Sequence, residues 1–301
     1  MSKSNLLRLK SNASEQINLV EKTHPSHMYS ILDSLNALSS CPWRINARIL
    51  DLTIDIFKKN GNKDLDIPEH AEFKGPEIPK LDSHAKPDKK ELKAFYKQKE
   101  ASLKIKAEMH SQWCSELYRL SIANMFRDKV IWFPHSLDFR GRTYPIPPHF
   151  NHLGSDLARS LIVLAEGKKL GPSGLDTLKI HLINLTGTMK KSTIKERLDF
   201  ANSIIEDIVD SAEKPFEGKC WWQKSEEKWQ TLACCMEIAD AIKSKNAAEF
   251  VSHFPIHQDG SCNGLQHYAA LGRDQEGALS VRLVLFYLKF LDFFYYYKLG
   301  L

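Results

Sequence analysis

No two cysteines in this chain stand in a Cys-x-x-Cys pair, and none of the six (Cys41, Cys114, Cys220, Cys234, Cys235 and Cys262) falls with histidine at the spacing of a zinc module. A structural zinc site is therefore set aside, and the cysteines read as free thiols of a reducing compartment. The opening residues 1–16 contain no apolar stretch of the kind that a secretory signal needs. They carry Ser, Lys and Arg8, but Glu15 and Glu21 follow with no Arg-rich amphipathic run, so a stretch internal to a longer protein is the better reading than a transit peptide. No run free of charge is long enough to span a bilayer. In the aromatic tail, 280–301, a span would place Lys289 and Asp292 near its middle, at roughly 2.5–3.5 kcal/mol each. No membrane role is expected. Nor is there an internal repeat or a strong charge of one sign. The net charge of +5 permits a polyanionic partner without demanding one.

What remains is a chain of 301 residues with 43% hydrophobic content, enough to bury a sizeable core. Helical periodicity dominates, with apolar stripes over 43–58, 175–185, 194–209 and 221–242, and a further helix over 157–166. Short strands are expected at 130–133 and 250–256, and Gly171-Pro172-Ser173-Gly174 reads as a break. The fold class is mainly α with a small β component (α+β). Five segments follow: a helical end of an N-terminal region (1–60), a Pro-rich linker (61–88), a basic helical segment (89–130), an α+β segment (131–279) and a divergent tail (280–301).

Three features carry chemistry. Over 89–127, Lys93, Lys97 and Lys104 are interleaved with Tyr96, Leu103 and Trp113. Such a helix is a solvated charged face or a grip on a nucleic-acid backbone, and the pattern alone does not decide between them. The run Asp138-Phe139-Arg140-Gly141-Arg142-Thr143-Tyr144 sets two arginines on a loop around a glycine. Guanidinium forks match phosphate oxygens, Gly lets the backbone approach a polyanion, and aromatic rings stack on bases. Composition alone favours the plainer reading, ion pairing with a nearby acid. The third feature is Pro255–Gln266, PIHQDGSCNGLQ, which bares one carboxylate, Asp259, beside the small residues Gly260, Ser261 and Cys262. A hard oxygen at a tight turn suits a divalent cation, and the bland alternative is an Asp-Gly turn between a strand and a helix.

The string Asp-Gly-Ser-Cys-Asn-Gly-Leu-Gln resembles, position for position, the first signature of the single-subunit, phage-type DNA-directed RNA polymerases, and its extension HYAALGRD resembles their mitochondrial branch. DFRGRTYP is similar to the same family's block at the start of the palm, and Cys41–Asn46, Leu178–His181, Trp221-Trp222 and Cys235–Glu237 are weaker matches. The resemblance covers residues 35–279. It implies part of a right-hand polymerase fold, with a helical thumb at 89–130 and the first half of the palm at 131–279. It implies nucleotidyl transfer from ribonucleoside triphosphates to an RNA transcript on a DNA template, in mitochondria and with mitochondrial transcription factors. Asp259 becomes the catalytic carboxylate and, with the Gly260 carbonyl, a Mg²⁺ ligand. Ser261, Asn263 and Gln266 support the site. Arg140, Gly141, Arg142 and Tyr144 contact nucleic acid, as do Lys93, Lys97 and Lys104, and Asp138 holds the loop's shape.

The family's later blocks, a fingers helix with Lys and Tyr and a second catalytic Asp in a His-Asp-Ser turn, have no match after Asp274. The chain therefore reads as truncated. One carboxylate is a poor site for two Mg²⁺ ions, so the 301-residue polypeptide is expected to show no template- and Mg²⁺-dependent primer extension by itself. Synthesis above background by the purified chain would defeat that expectation. A non-catalytic nucleic-acid-binding fragment is the alternative reading, and salt-sensitive binding without turnover would mark it. A family-A DNA polymerase is disfavoured by the DGSCNGLQ string, and a metal hydrolase by the lack of His and acid clusters. His181 and Trp221-Trp222 read as core residues rather than ligands.

Overall fold

The structure is a computed structural model that describes residues 14–80, 88–138, 140–257 and 263–280. Two units divide at Pro255 and Ile256. In the first, helices α1 (Ser14–Lys22) and α2 (Tyr29–Ser39), strand β1 (Pro42–Ile45) and helix α3 (Ala47–Lys58) follow in order. Short α4 (Ala71–Lys74) precedes the long α5 (Lys89–Met125). Strands β2 (Ile131–Trp132), β3 (His135–Leu137) and β4 (Thr143–Pro145) come next, then α6 (Asp156–Ser160), β5 (Ile162–Leu164) and β6 (Lys168–Lys169). Helices α7 (Gly171–Thr186), α8 (Ile194–Ser203), α9 (Ile205–Glu213) and α10 (Lys228–Lys243) lead to β7 (Val251–Ser252). The second unit holds α11 (Asn263–Gly272) and α12 (Gln275–Ser280). The chain is mainly helical with three small antiparallel sheets, ordered β2-β1-β5, β3-β4 and β6-β7.

Helix α10 is the centre of the main core. Trp229, Leu232, Cys234, Cys235 and Ile238 are fully buried on it, against Leu178 and Leu182 of α7, Ile208 of α9 and Leu157 of α6. Burial raises the thiol pKa of both Cys234 and Cys235, which keeps them as neutral packing groups. Trp222 packs its ring 5.3 Å from that of Trp229. Each indole N–H finds a carbonyl at 2.8 Å, Trp222 on Pro215 and Trp229 on Leu65. Trp222, Trp229 and His181 are buried, and Trp221 is half-buried against the same core. The stretch read as a linker adds Leu65 and Ile67 to the same core.

Tertiary pairing overrides local pattern at several points. The helix expected over 157–166 stops at Ser160, because the β-branched Ile162 and Val163 pair with Ile45 and Arg44 of β1. The helix expected from residue 43 starts only at Ala47. Trp43 pairs with both Ile131 and Leu164, and Asn46 caps α3 by accepting from the Ile49 N–H. The helix expected over 221–242 is a 3₁₀ turn, Trp221–Lys224, and then α10. Between them the N–H groups of Glu226 and Glu227 donate to the last carbonyls of α7, Thr186 and Leu185, which takes them out of any helix. Gly171–Gly174 is no break but the first turn of α7, where Pro172 sits at a position that needs no N–H. The strand expected over 250–256 is confined to Val251–Ser252. The helix expected over 194–209 divides at Ile204, for which nothing in the structure gives a reason.

Helix α5 has the predicted extent. Asp88 and Glu91 form a reciprocal capping box at its start, and at 1.5 Å per residue it runs roughly 55 Å. Leu120 and Ala123, near its C-terminal end, are core residues, whereas Tyr96 and Leu103 in its first half are exposed.

Candidate functional site

The loop 138–142 closes the β3–β4 hairpin, whose register pairs Leu137 with Thr143 and Ser136 with Tyr144. The Asp138 N–H donates to the Arg142 carbonyl at 2.8 Å, and the Gly141 N–H to the Asp138 carbonyl at 3.0 Å. Asp138 Oδ1 accepts from the backbone N–H groups of Arg140 and Arg142, each at 2.9 Å. Its Oδ2 accepts from Arg140 Nε at 3.0 Å and Nη2 at 2.8 Å. One carboxylate thus holds the backbone at both arginines and the side chain of Arg140. Burial alone would raise the Asp138 pKa, but the bonds from Arg142 and Arg140 outweigh it and hold the group below the ordinary carboxylate value. Gly141 has φ +82°, and a Cβ there would meet nothing within 4 Å, so glycine is needed for conformation and not for space.

The two arginines are not equivalent. The Arg140 fork lies on Asp138, with the Tyr144 hydroxyl also acting on it. Arg142 is exposed, and among the described residues its guanidinium takes no ion pair. Tyr144 is half-buried on β4. Both alternatives weighed from composition thus occur in one loop: an intramolecular ion pair at Arg140 and an outward guanidinium at Arg142. Phe139 lies outside the described residues.

On α5, Lys93, Lys97 and Lys104 are all exposed. At 100° per residue they fall within about 40° of one another, a narrow stripe along the helix. The stripe is not purely basic, since Glu100 shares its sector and Glu108 lies 4.0 Å from Lys104.

Asp259, Gly260 and Ser261 lie outside the described residues. Asn263 opens α11, and Gln266 is half-buried on the same helix. Among the described residues no group of three or more His, Cys, Asp or Glu could hold a metal, and no helix is long and apolar enough to cross a membrane.

The segment just before the Asp259 string is fixed from three elements. Glu237 of α10 accepts with Oε1 from Ser252 Oγ at 2.7 Å and from the His253 N–H at 3.2 Å. Ser252 Oγ in turn accepts from the Phe254 N–H at 3.2 Å. The His253 ring contacts the Leu164 carbonyl at 2.8 Å and Arg44 Nη2 at 3.0 Å. Gly167 is packed so closely on the His253 ring that a Cβ would come within 2.7 Å of it. Sequence reasoning singled out neither Glu237 as an anchor nor Arg44 as its counterpart, because the partners are far apart in the chain. Glu237→Ala is expected to speed amide exchange at His253 and Phe254 by about tenfold or more, since one lost buried bond costs about 1.5 kcal/mol. Unchanged exchange by mass spectrometry would show that Arg44 and Leu164 suffice.

Comparison with known proteins follows this geometry. Residues 168–289 match the model of the DNA-dependent RNA polymerase family. Over 285 residues, 94% of its length, the chain is 50% identical to the mitochondrial DNA-directed RNA polymerases of Homo sapiens and Mus musculus. It is 42% identical over 275 residues, 90% of its length, to the chloroplastic/mitochondrial DNA-directed RNA polymerase 2B of Nicotiana tabacum. The chain spans 23% of the two mammalian relatives and 26% of the plant one. Both sequence signatures, the family-model match and this identity agree: the chain is similar to a partial segment of the DNA-dependent RNA polymerases.

Proposed function

We propose that this chain is the part of a template-directed RNA-synthesising enzyme that grips the nucleic acid and contributes one catalytic carboxylate, working in mitochondria. The single observation that carries the reading is the Asp138-centred loop, which fixes a glycine-spaced pair of arginines and leaves Arg142 facing outward. A backbone fixed on both sides of Gly141 narrows the space that the Arg142 side chain must search to meet a phosphate. Arg142 holds the backbone of an RNA–DNA hybrid, Arg140 steadies the loop, and Tyr144 lines the same face. The stripe of Lys93, Lys97 and Lys104 forms the thumb's contact with the duplex. In this reading 89–130 is the thumb and 131–279 the first half of the palm.

The chemistry proposed is transfer of a nucleotide from a ribonucleoside triphosphate to the RNA 3′ end on a DNA template. Asp259 and the Gly260 carbonyl would hold Mg²⁺, which when bound supplies charge stabilisation for phosphoryl displacement. Ser261, Asn263 and Gln266 would keep the turn in shape around them. Glu237, through Ser252 and His253, fixes the chain that leads into this turn. The DNA template, the RNA transcript, the triphosphates and mitochondrial transcription factors are the proposed partners.

The test is binding of a fluorescent RNA–DNA hybrid to the 301-residue chain over a range of salt. Each phosphate contact contributes about 0.9 to the slope of log K against log salt. Arg142→Ala is expected to lower that slope by about 1 and to weaken binding similarly for all sequences. An unchanged slope would remove the loop from the interface. A wild-type chain that binds no hybrid at low salt would remove the reading itself.

A further inference from the structure

His110 and Cys114 stand one turn apart on α5, and their side chains meet at the surface: Cys114 Sγ lies 3.5 Å from His110 Nε2. His110 is exposed and Cys114 half-buried. Neighbouring rings limit how far the imidazole can turn. It lies nearly parallel to the Trp113 ring, 6.5 Å away at 15°, and edge-on to the His70 ring at 6.3 Å and 84°. Trp113 is itself stacked on Phe57 of α3 at 5.2 Å, and His70 Nδ1 accepts from the Glu72 N–H at the start of α4 at 3.3 Å.

The other described cysteines are placed differently. Cys234 and Cys235 are fully buried, and Cys220 Sγ lies against the Pro215 and Gly218 carbonyls. Burial, with Glu166 adding to it, raises the pKa of the Cys41 thiol. Among the described cysteines, Cys114 is the one set on an imidazole nitrogen. A sulfur and a ring nitrogen on one face of a helix are donors that suit borderline and soft cations rather than Mg²⁺. Tetrahedral zinc, with bonds of about 2.3 Å to sulfur and 2.0–2.1 Å to nitrogen, sets those two atoms roughly 3.5 Å apart. The ion therefore fits between the two side chains with little movement of either. Two protein ligands are half of a structural zinc module, and water fills the remaining positions. The pair is also separate from the lysine stripe. At 100° per residue its midpoint lies about 100° around α5 from Lys93, Lys97 and Lys104.

We propose that His110 and Cys114 form a surface site for a thiophilic divalent cation of the zinc class, held between Cys114 Sγ and His110 Nε2. On binding, the thiol releases its proton to solvent, a sulfur–metal bond forms, and the neutral imidazole gives its Nε2 lone pair to the ion. No electron changes hands, and affinity rises with pH because a proton is displaced.

The experiment is a titration of the reduced 301-residue chain with Co²⁺, whose thiolate complexes absorb in the near ultraviolet, followed by displacement with Zn²⁺. A saturable band at one Co²⁺ per chain, lost on addition of Zn²⁺, is expected. Cys114→Ser should abolish the band. His110→Ala should weaken Co²⁺ binding by about tenfold or more, since even outer partners of metal ligands cost that much when lost. The double variant His110→Ala/Gln112→His keeps the number of histidines but puts the ring on another face of the helix, and should not restore binding. No band in the wild-type chain, a band that survives Cys114→Ser, unchanged affinity in His110→Ala or recovery in the double variant would each overturn the proposal. Should Cys114→Ser not fold, His110→Ala carries the test, because alanine is well tolerated at an exposed helical position.

Discussion

Replacing Asp156 with alanine is expected to destabilise the first unit by about 3 kcal/mol, read as a lower denaturant midpoint at unchanged m-value. Helix α10 begins at Lys228, and its own N-cap residue, Glu227, makes no side-chain cap bond. The cap comes from α6 instead. Asp156 Oδ2 accepts from the Trp229 N–H at 2.7 Å, and Oδ1 accepts from the Gln230 N–H at 3.0 Å and from Gln230 Nε2 at 2.9 Å. An ordinary N-cap is worth about 0.5–2 kcal/mol because water replaces it when it is removed. Here Trp229 and Gln230 are buried, so the freed N–H groups would have no water to turn to. Burial pushes the Asp156 pKa up, while the bonds from Gln230 and Trp229 pull it down. Asp156→Asn keeps one acceptor oxygen and should lose about half as much. If Asp156→Ala leaves the midpoint where it was, Glu227, already 3.1 Å from Gln230 Nε2, has taken over the cap.

The second large effect concerns the arginine loop. Asp138→Ala removes the acceptor of four hydrogen bonds in five residues. The Arg140 guanidinium loses its partner and the Arg142 backbone its anchor, so the salt slope for hybrid binding should fall by about 2, against about 1 for Arg142→Ala. Arg140→Ala should fall between the two, since it deletes one cation and leaves Asp138 holding the Arg142 N–H. The pH dependence has a definite sign. The folded pKa of Asp138 lies below the ordinary aspartate value of 3.8, so the loop order it gives is fully present above that value. It is lost only as pH falls through the lowered pKa. Carboxyl ¹³C titration by NMR should therefore show Asp138 titrating below 3.8, together with movement of the Arg140 and Arg142 amide signals. Titration at or above that value would mean that the four-bond arrangement is not maintained in solution.

The sequence makes long-period features legible and leaves cross-chain ones hidden. The extent of α5 follows from its pattern and from the Asp88/Glu91 box, both of which are local. The mainly α class follows from the same periodicities. The strand at 162–164 does not, because Ile162 and Val163 are extended only by virtue of partners at Arg44 and Ile45. The break before α10 is invisible for the same reason, since its cause is the carbonyls of Leu185 and Thr186. In the arginine loop the residue types are plain from sequence. The division of labour between Arg140 and Arg142 is not, because it depends on which guanidinium folds back onto Asp138.

Strand β1 lies between β2 and β5, and its partners are on opposite sides of α5 in chain order from it. During synthesis, Trp43 and Ile45 leave the ribosome before the whole of α5 and must wait for Ile131 and then Ile162 to arrive. Helix α5 needs no such wait, since its bonds are local and form in about a microsecond or less. At roughly 5–20 residues per second the delay before β1 is paired on either side amounts to several seconds. For that interval the nascent chain carries a long soluble helix and an uncovered aromatic strand, which makes this short segment the point where a chaperone or a misfolding partner would first take hold.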